Sequence, residues 1–318
     1  MNGESSGPIE CFDFLLGKSR QGVRTALVTI VGIAGGFSRS LGTHMAASED
    51  GAWVGSLSGG CVEAGVAGEA RRVIENGQAE LLRIGSGSRL IDIRLPCGGA
   101  LDLLIVPDPS PGPIGHARDL LSARSPVRLA IGLDGTIDCR PAEPTDGTLK
   151  CDDMCIVRHN PALRMIVLGQ GEELEAVRDL ALAFGAEVEV LSPDAVIVNR
   201  LRERGGAAHV LKTPRQTALM RPDDWTAVLF LFHDHEWEAE LMAQALGQPH
   251  FFVGAMGSRA TQRARRVRLR ELGLSDALLD AVRSPVGLIP SARDPRTLAL
   301  SALAEIVLEF QRKQGACS

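Results

Sequence analysis

The chain has 318 residues, 45% of them hydrophobic and 23% charged, enough for two domains with separate cores. A net charge of −5 argues against general nucleic-acid binding, and 4% aromatic residues with no tyrosine remove a base-stacking platform. No apolar run is long enough to span a bilayer, the first residues carry no leader pattern, and the seven cysteines are irregularly spaced. A cytoplasmic protein with reduced thiols and no nucleic-acid or membrane partner is therefore expected.

Residues 1–22 read as a polar lead with a short helical piece at 11–16. The β-branched run at 25–31 predicts a buried strand. The loop that follows, 32–42, is rich in glycine and holds one arginine, Arg39. Such a loop reads equally as a phosphate clamp or as a plain turn. A short strand at 44–46 and a turn at Glu49, Asp50 and Gly51 lead into Trp53 and Val54. Then come Gly55, Ser56, Leu57, Ser58, Gly59, Gly60, Cys61, Val62 and Glu63, and an alanine-rich helix at 64–74. A helix N-terminus presents free N–H groups and positive partial charge, which attract anions and acidify a thiol. Residues 53–63 thus read as an anion or cofactor cradle with a reactive thiol at Cys61. Further strands are predicted at 80–84, 90–95 and 101–106. Directly before the last of these stand Cys97, Gly98 and Gly99. One isolated cysteine is most simply a small buried residue; two, each beside a glycine pair, point to a shared site.

Residues 107–115 read as a Pro/Gly-rich loop, and 120–140 as a small strand pair turning at 133–136. Residues 141–160 read as a linker between a first domain, 1–140, and a second, 161–318. Cys151, Cys155 and His159 have metal-like identities but not the spacing of a zinc knuckle, so packing or surface roles are expected.

The second domain opens with a buried strand at 164–168, then Gly169, Gln170 and Gly171, a helix to Phe184 stopped by Gly185, and a strand at 187–191. This is a doubly wound βαβ start, with Asp194 where a ribose-binding acid would stand. Leu174 occupies the place of the third fingerprint glycine, and Glu172 and Glu173 would repel a pyrophosphate. A strand at 225–232 ends in His233, Asp234 and His235, at the carboxyl end where such folds bind ligands. Capping by Asp234 is favoured there over a metal site at the two histidines. After a helix at 236–246 and a strand at 250–253 come Gly254, Ala255, Met256, Gly257, Ser258 and Arg259. The helix that follows places Arg259, Arg263, Arg266 and Arg270 on one face, on charge alone a solvated basic face, which gains a phosphate-binding reading from the glycine–serine loop beside it. Residues 284–290 read as a rigid loop. The last helix, from 295 to 310, carries an apolar stripe bordered by Glu305.

These motifs resemble the XdhC/CoxI family, accessory factors of molybdenum hydroxylases. The resemblance runs from about residue 25 to 310 and rests on Arg39 with Gly42 and Met45, and on Gly51 with the string from Val54 to Glu63. It also rests on Cys97, Gly98, Gly99, Gly169, Gly171, His233, Asp234, the run 253–259, the run 285–288 and the pieces around 299–306. It implies a mixed α/β N-terminal domain with glycine-rich loops and a C-terminal Rossmann-like parallel-sheet domain. It also implies a homodimer that binds the molybdenum cofactor, as molybdopterin or its cytosine dinucleotide form. By that resemblance the protein holds the cofactor while a cysteine desulfurase replaces an oxo ligand with sulfur. It then passes the cofactor to an apo-molybdoenzyme of the xanthine oxidase family, as a chaperone more than a catalyst. Cofactor-binding residues are expected at Arg39, Ser58, Gly59, Gly60, Cys61, Glu63, Cys97, Gly98, Gly169, Gly171, His233, Gly254, Gly257, Ser258 and Arg259, with Cys61 facing the metal. Two positions depart from the family pattern: Phe37 with Ser38 before Arg39, and His44 where a basic residue precedes Met45. The alternatives are an NAD(P)-dependent oxidoreductase using the second domain, and an interaction scaffold whose glycine loops are structural.

Overall fold

A computed structural model describes residues 7–36, 39–60, 62–88, 98–233 and 235–315. The chain divides between Pro161 and Ala162 into two units. The strand predicted at 90–95, Cys61, Cys97, Asp234, and Phe37 with Ser38 lie outside the described residues.

The first unit runs α1 (Pro8–Arg20), β1 (Thr25–Ala34), β2 (His44–Ser48), β3 (Trp53–Gly55), α2 (Glu63–Asn76), β4 (Glu80–Gly85), β5 (Ala100–Pro107), α3 (Pro111–Ser122), β6 (Val127–Gly132), β7 (Ile137–Pro141), β8 (Leu149–Lys150) and β9 (Met154–His159). One antiparallel sheet has the order β3-β2-β1-β5-β4, and a second the order β7-β6-β9-β8. Alternation along β1 explains its burial on both faces. Ala26, Val28 and Ile30 pack with Val66, Ala70 and Val73 of α2. Leu27 and Val31 join Phe12 of α1, Leu121 of α3, and Leu129 and Val157 of the second sheet.

Two sequence expectations are corrected here. Residues 107–122 are not a loop running into a strand pair, because α3 begins at Pro111. A proline in the first helical turn gives up only an N–H that has no partner there, and Ile114, Ala117 and Leu121 make the buried stripe. Residues 141–160, expected as a linker, carry β8 and β9. β9 pairs along its whole length with β6, and its alternation buries Cys155 and Val157.

The second unit runs β10 (Arg164–Gly169), α4 (Glu172–Phe184), β11 (Glu187–Ser192), α5 (Ala195–Glu203), β12 (Ala207–Val210), β13 (Thr226–Leu231), α6 (His235–Leu246), β14 (Phe252–Ala255), α7 (Arg259–Glu271), α8 (Asp276–Ala281), β15 (Val282–Arg283) and α9 (Pro295–Lys313). Its sheet is parallel in the order β12-β11-β10-β13-β14-β15, the doubly wound Rossmann arrangement. Met165 and Val167 of β10 face a core built with α4, α5 and α9. Ile166 and Leu168 face the core under α6, α7 and α8.

Candidate functional site

Three loops leave one end of the larger sheet in the first unit. β1 ends at Ala34, opposite Ala100 at the start of β5, and Ala100 also faces Gly85 at the end of β4. β3 is antiparallel to β2, which is antiparallel to β1, so β3 runs in the direction of β1. The segments after β1, after β3 and between β4 and β5 therefore emerge together. Arg39 sits half-buried in the first. The second holds Ser58, Gly59 and Gly60, next to Cys61. The third ends in Gly98 and Gly99, next to Cys97. The first and third touch: Gly35 has φ 86°, and a Cβ there would lie 3.2 Å from the Gly99 Cα.

The middle loop is an anion cradle, and its anion is the chain's own. The Glu63 side chain turns back across the loop, and the residue is only 5% exposed. Its Oε1 accepts from the Leu57 and Ser58 amides and the Ser56 hydroxyl, each at 2.9 Å. Its Oε2 accepts from the Val62 amide and the Ser58 hydroxyl, each at 3.1 Å. Burial opposes the charge, but hydrogen bonds from the loop amides, Ser58 first, and from Ser56 outweigh it and hold the carboxyl at about 2. Glu63 thus organises the loop rather than facing a ligand. Its charge also offsets the positive end of α2 that was expected to acidify Cys61. What faces outward is Gly59 and Gly60, at φ 85° and 111°, with nothing within 4 Å of an added Cβ at either.

In the second unit, Gly169, Gly171 and His233 meet at the carboxyl ends of β10 and β13, the point where the strand order reverses. Gly169 is required by close approach, since a Cβ there would lie 2.3 Å from the Leu231 carbonyl oxygen. The Glu173 carboxylate stands 3.6 Å from His233 Nε2. With Glu172 and Glu175 it fills the first turn of α4 with acid. Leu174 is fully buried in the core, and the Asp194 carboxylate caps α5 by accepting from the amides of Val196 at 2.8 Å and Ile197 at 3.2 Å. The position read as a ribose-binding acid is therefore a helix cap.

The glycine junction before α7 divides by role. Gly254 is not a ligand cradle: a Cβ there would meet Phe252 at 2.6 Å and Val286 at 2.9 Å, so it is a packing residue of β14. Gly257, at φ 130°, is exposed. The Ser258 hydroxyl caps α7, accepting from the Thr261 amide at 3.1 Å. The predicted arginine face splits. Arg266 pairs with Asp280 at 2.7 Å and Arg270 with Asp276 at 2.6 Å. Arg259 and Arg263 are exposed, one turn apart, and form no ion pair among the described residues. Arg265, which the periodicity left off that face, is buried and paired with Glu238 at 2.8 Å. It lies four residues before buried Leu269, so a lone arginine on the apolar side of α7 was the signal for it.

His44 and His159 form a second unforeseen pair. Their Nε2 atoms are 2.8 Å apart, Thr29 Oγ1 is 2.9 Å from His44 Nδ1, and the Phe12 ring lies against both. Burial lowers both pKa values, helped at His44 by its neighbour: His44 falls well below 6.5 and His159 to about 4. His44 is therefore a neutral core residue, not a cationic cofactor contact. Cys155 is buried, its thiol pushed up to about 11 by burial, and Cys151 is exposed. Among the described residues no group of three or more His, Cys, Asp or Glu side chains could hold a metal. Nor is any helix long and apolar enough to cross a membrane.

These features define a two-unit α/β protein: glycine loops gathered at one end of an antiparallel sheet, and a Rossmann-type sheet without a dinucleotide fingerprint. Residues 19–85 match the XdhC and CoxI family, and residues 165–306 match the XdhC Rossmann domain. The molybdenum cofactor insertion chaperone PaoD of Escherichia coli (strain K12) is 33% identical over 299 residues, covering 93% of this chain and 87% of that protein. A second protein of the same organism, YqeB, is 24% identical over 160 residues, 47% of this chain and 28% of its own length. A crystal structure described as a xanthine dehydrogenase from Bacillus halodurans shares the fold, with a TM-score of 0.75 at 21% identity over 98% of each chain. The chain belongs to the XdhC and CoxI family.

Proposed function

We propose that this protein is a molybdenum-cofactor chaperone. It holds molybdopterin, or its cytosine dinucleotide form, as cargo while a cysteine desulfurase sulfurates it. It then inserts the cargo into an apo-molybdoenzyme of the xanthine oxidase family, acting as a cytoplasmic homodimer. The observation that carries this reading is the 33% identity, over 93% of the chain, to a molybdenum cofactor insertion chaperone.

The geometry supports roles for particular residues. Cys61, beside outward-facing Gly59 and Gly60, is the thiol for the metal end, since a soft thiolate suits a molybdenum–sulfur centre. Ser58, Arg39 and Gly98 belong to the loops at that same sheet end, and Cys97 is the residue before Gly98 in the sequence. Arg259 and Arg263, which form no ion pair among the described residues, take a phosphate group with Gly257 and the α7 terminus that Ser258 caps. Gly169, Gly171 and His233 form a further contact at the switch point of the second sheet. Glu63 and Gly254 hold their loops in shape.

The test is to express the protein in a cofactor-replete host and to measure bound molybdenum and released pterin nucleotide by mass spectrometry. Cargo is expected with the parent chain and a loss of molybdenum with Cys61→Ala at unchanged melting temperature. Absence of any pterin from the parent chain rejects the reading; full molybdenum and normal activation of an apo-enzyme by Cys61→Ala reject the thiol's role.

A further inference from the structure

Arg265 is a buried cation of the second unit whose two terminal nitrogens reach four acceptors, while its Nε finds none among the described residues. Its side chain and that of Glu238 are each 2% exposed. Nη2 donates to Glu238 Oε1 at 2.8 Å and to the Met256 carbonyl at 2.9 Å. Nη1 donates to Gln262 Oε1 at 2.8 Å and to Ser284 Oγ at 2.7 Å. One guanidinium thereby ties α6, α7, the segment after β15 and the loop after β14.

The Met256 contact gives this network its consequence. The Met256 amide donates to the Phe230 carbonyl at 3.0 Å, so both peptide groups of Met256 are held. The next residue is Gly257 at φ 130°, followed by Ser258 and Arg259. A loop fixed on one side by the sheet and on the other by a planar, five-donor group has one orientation. Packing alone does not require a charge here. A buried ion pair costs desolvation and is often replaceable by apolar groups of similar size with no loss of stability. The feature that an apolar pair could not reproduce is the bond to the Met256 carbonyl.

We infer that Arg265, with Glu238 as its counter-ion, is the positioning residue that aims the loop 257–259, and with it Arg259, at the phosphate group of the ligand. This rests on the proposed phosphate role of Arg259 and Arg263. It adds that the loop's geometry is imposed from beneath, by a side chain that does not itself reach the ligand.

The experiment titrates inorganic pyrophosphate into the full-length protein by calorimetry at low salt, with melting temperatures recorded in parallel. Arg259→Ala tests the underlying reading: parent-like affinity would reject this loop as the phosphate site. With Arg259→Ala weakened, the double variant Arg265→Met, Glu238→Leu tests the inference. The expected result is a parent-like melting temperature and binding weaker by about tenfold, because a misplaced binding group loses its pre-organisation. Parent-like affinity in the double variant overturns the positioning role while leaving Arg259 in place. Should the double variant melt far below the parent, Arg265→Lys decides. It keeps a charge beside Glu238 but brings a single nitrogen to four acceptors. Weakened binding at the parent melting temperature supports the role, and parent affinity overturns it.

Discussion

Replacing Glu63 by Gln should destabilise the first unit in a pH-dependent way. The carboxyl, ordinarily at 4.5, is held at about 2 in the folded protein. Each pKa unit is ~1.4 kcal/mol of preference for the ionised form, so the charge contributes about 3 kcal/mol. The geometry gives the same direction. Four donors converge on Oε1 and two on Oε2, the Ser58 hydroxyl reaching both oxygens. A glutamine amide can keep the first set but turns its NH2 toward the Val62 N–H, leaving a buried donor against a donor. For a unit of this size the loss corresponds to roughly 6–12 °C in melting temperature. The sign follows from linkage. A carboxyl with a depressed folded value stabilises fully above about pH 4.5, and that contribution disappears as the pH falls toward 2. The gap between parent and Glu63→Gln should therefore be full at neutral pH and shrink on acidification. Scanning calorimetry at about pH 7 and about pH 3 measures it. A variant melting within about 2 °C of the parent at neutral pH, or a gap of the same size at both values, would refute the account of this loop.

The His44–His159 pair predicts stability in a different window. His159, ordinarily at 6.5, is lowered to about 4 by burial, so the unfolded chain takes up the proton first. Stability is full above about pH 6.5 and falls by about 3 kcal/mol toward pH 4; replacing both histidines by leucine should flatten urea midpoints across that range. Two glycines separate space from backbone conformation. Gly254→Ala drives a methyl into Phe252 and Val286 and should cost about 2–3 kcal/mol. Gly59→Ala meets open space and should cost only the ~1 kcal/mol of a left-handed backbone, with melting curves separating the two. Titration with NADH, followed by fluorescence, should show no saturable binding, because Leu174 replaces the third fingerprint glycine and three glutamates crowd the first turn of α4; tight binding would revive an oxidoreductase reading.

Four strands of the parallel sheet, β10, β11, β13 and β14, were legible as short apolar runs, and Gly185 stops α4 in a left-handed conformation at φ 95°; β12 and β15, four and two residues long, were not read. Local patterns were less informative where two signals competed. Prolines 111 and 113 read as a loop, although a first helical turn tolerates them. β9 was hidden in a polar stretch because its partner β6 lies more than twenty residues earlier. In the site, glycines and cysteines were visible as types, but the side chains that shape it act across distance. His44 finds His159 across 115 residues, and Arg265 finds Glu238 across 27. No periodicity encodes such pairs. Glu63 shows the same limit at short range: its place at a helix start was plain, whereas its turn back onto Leu57 and Ser58 depends on the folded loop.

Three glycine–helix junctions share one backbone logic, and their side chains assign them different tasks. At α2 the free amides close on Glu63, and at α4 the first turn holds Glu172, Glu173 and Glu175. Both ends are already supplied with negative charge, so an incoming phosphate would meet repulsion there. At α7 the first turn carries no acid; it begins with Arg259, and Arg263 follows one turn later. Among the described residues, this junction of the three carries arginines that form no ion pair. An anionic group should therefore be drawn to α7 rather than to the loop at Leu57 and Ser58, whose amides Glu63 already occupies. On the proposed reading, the cradle motif of residues 53–63 is filled by Glu63, and the anion it was expected to receive goes to the α7 junction instead.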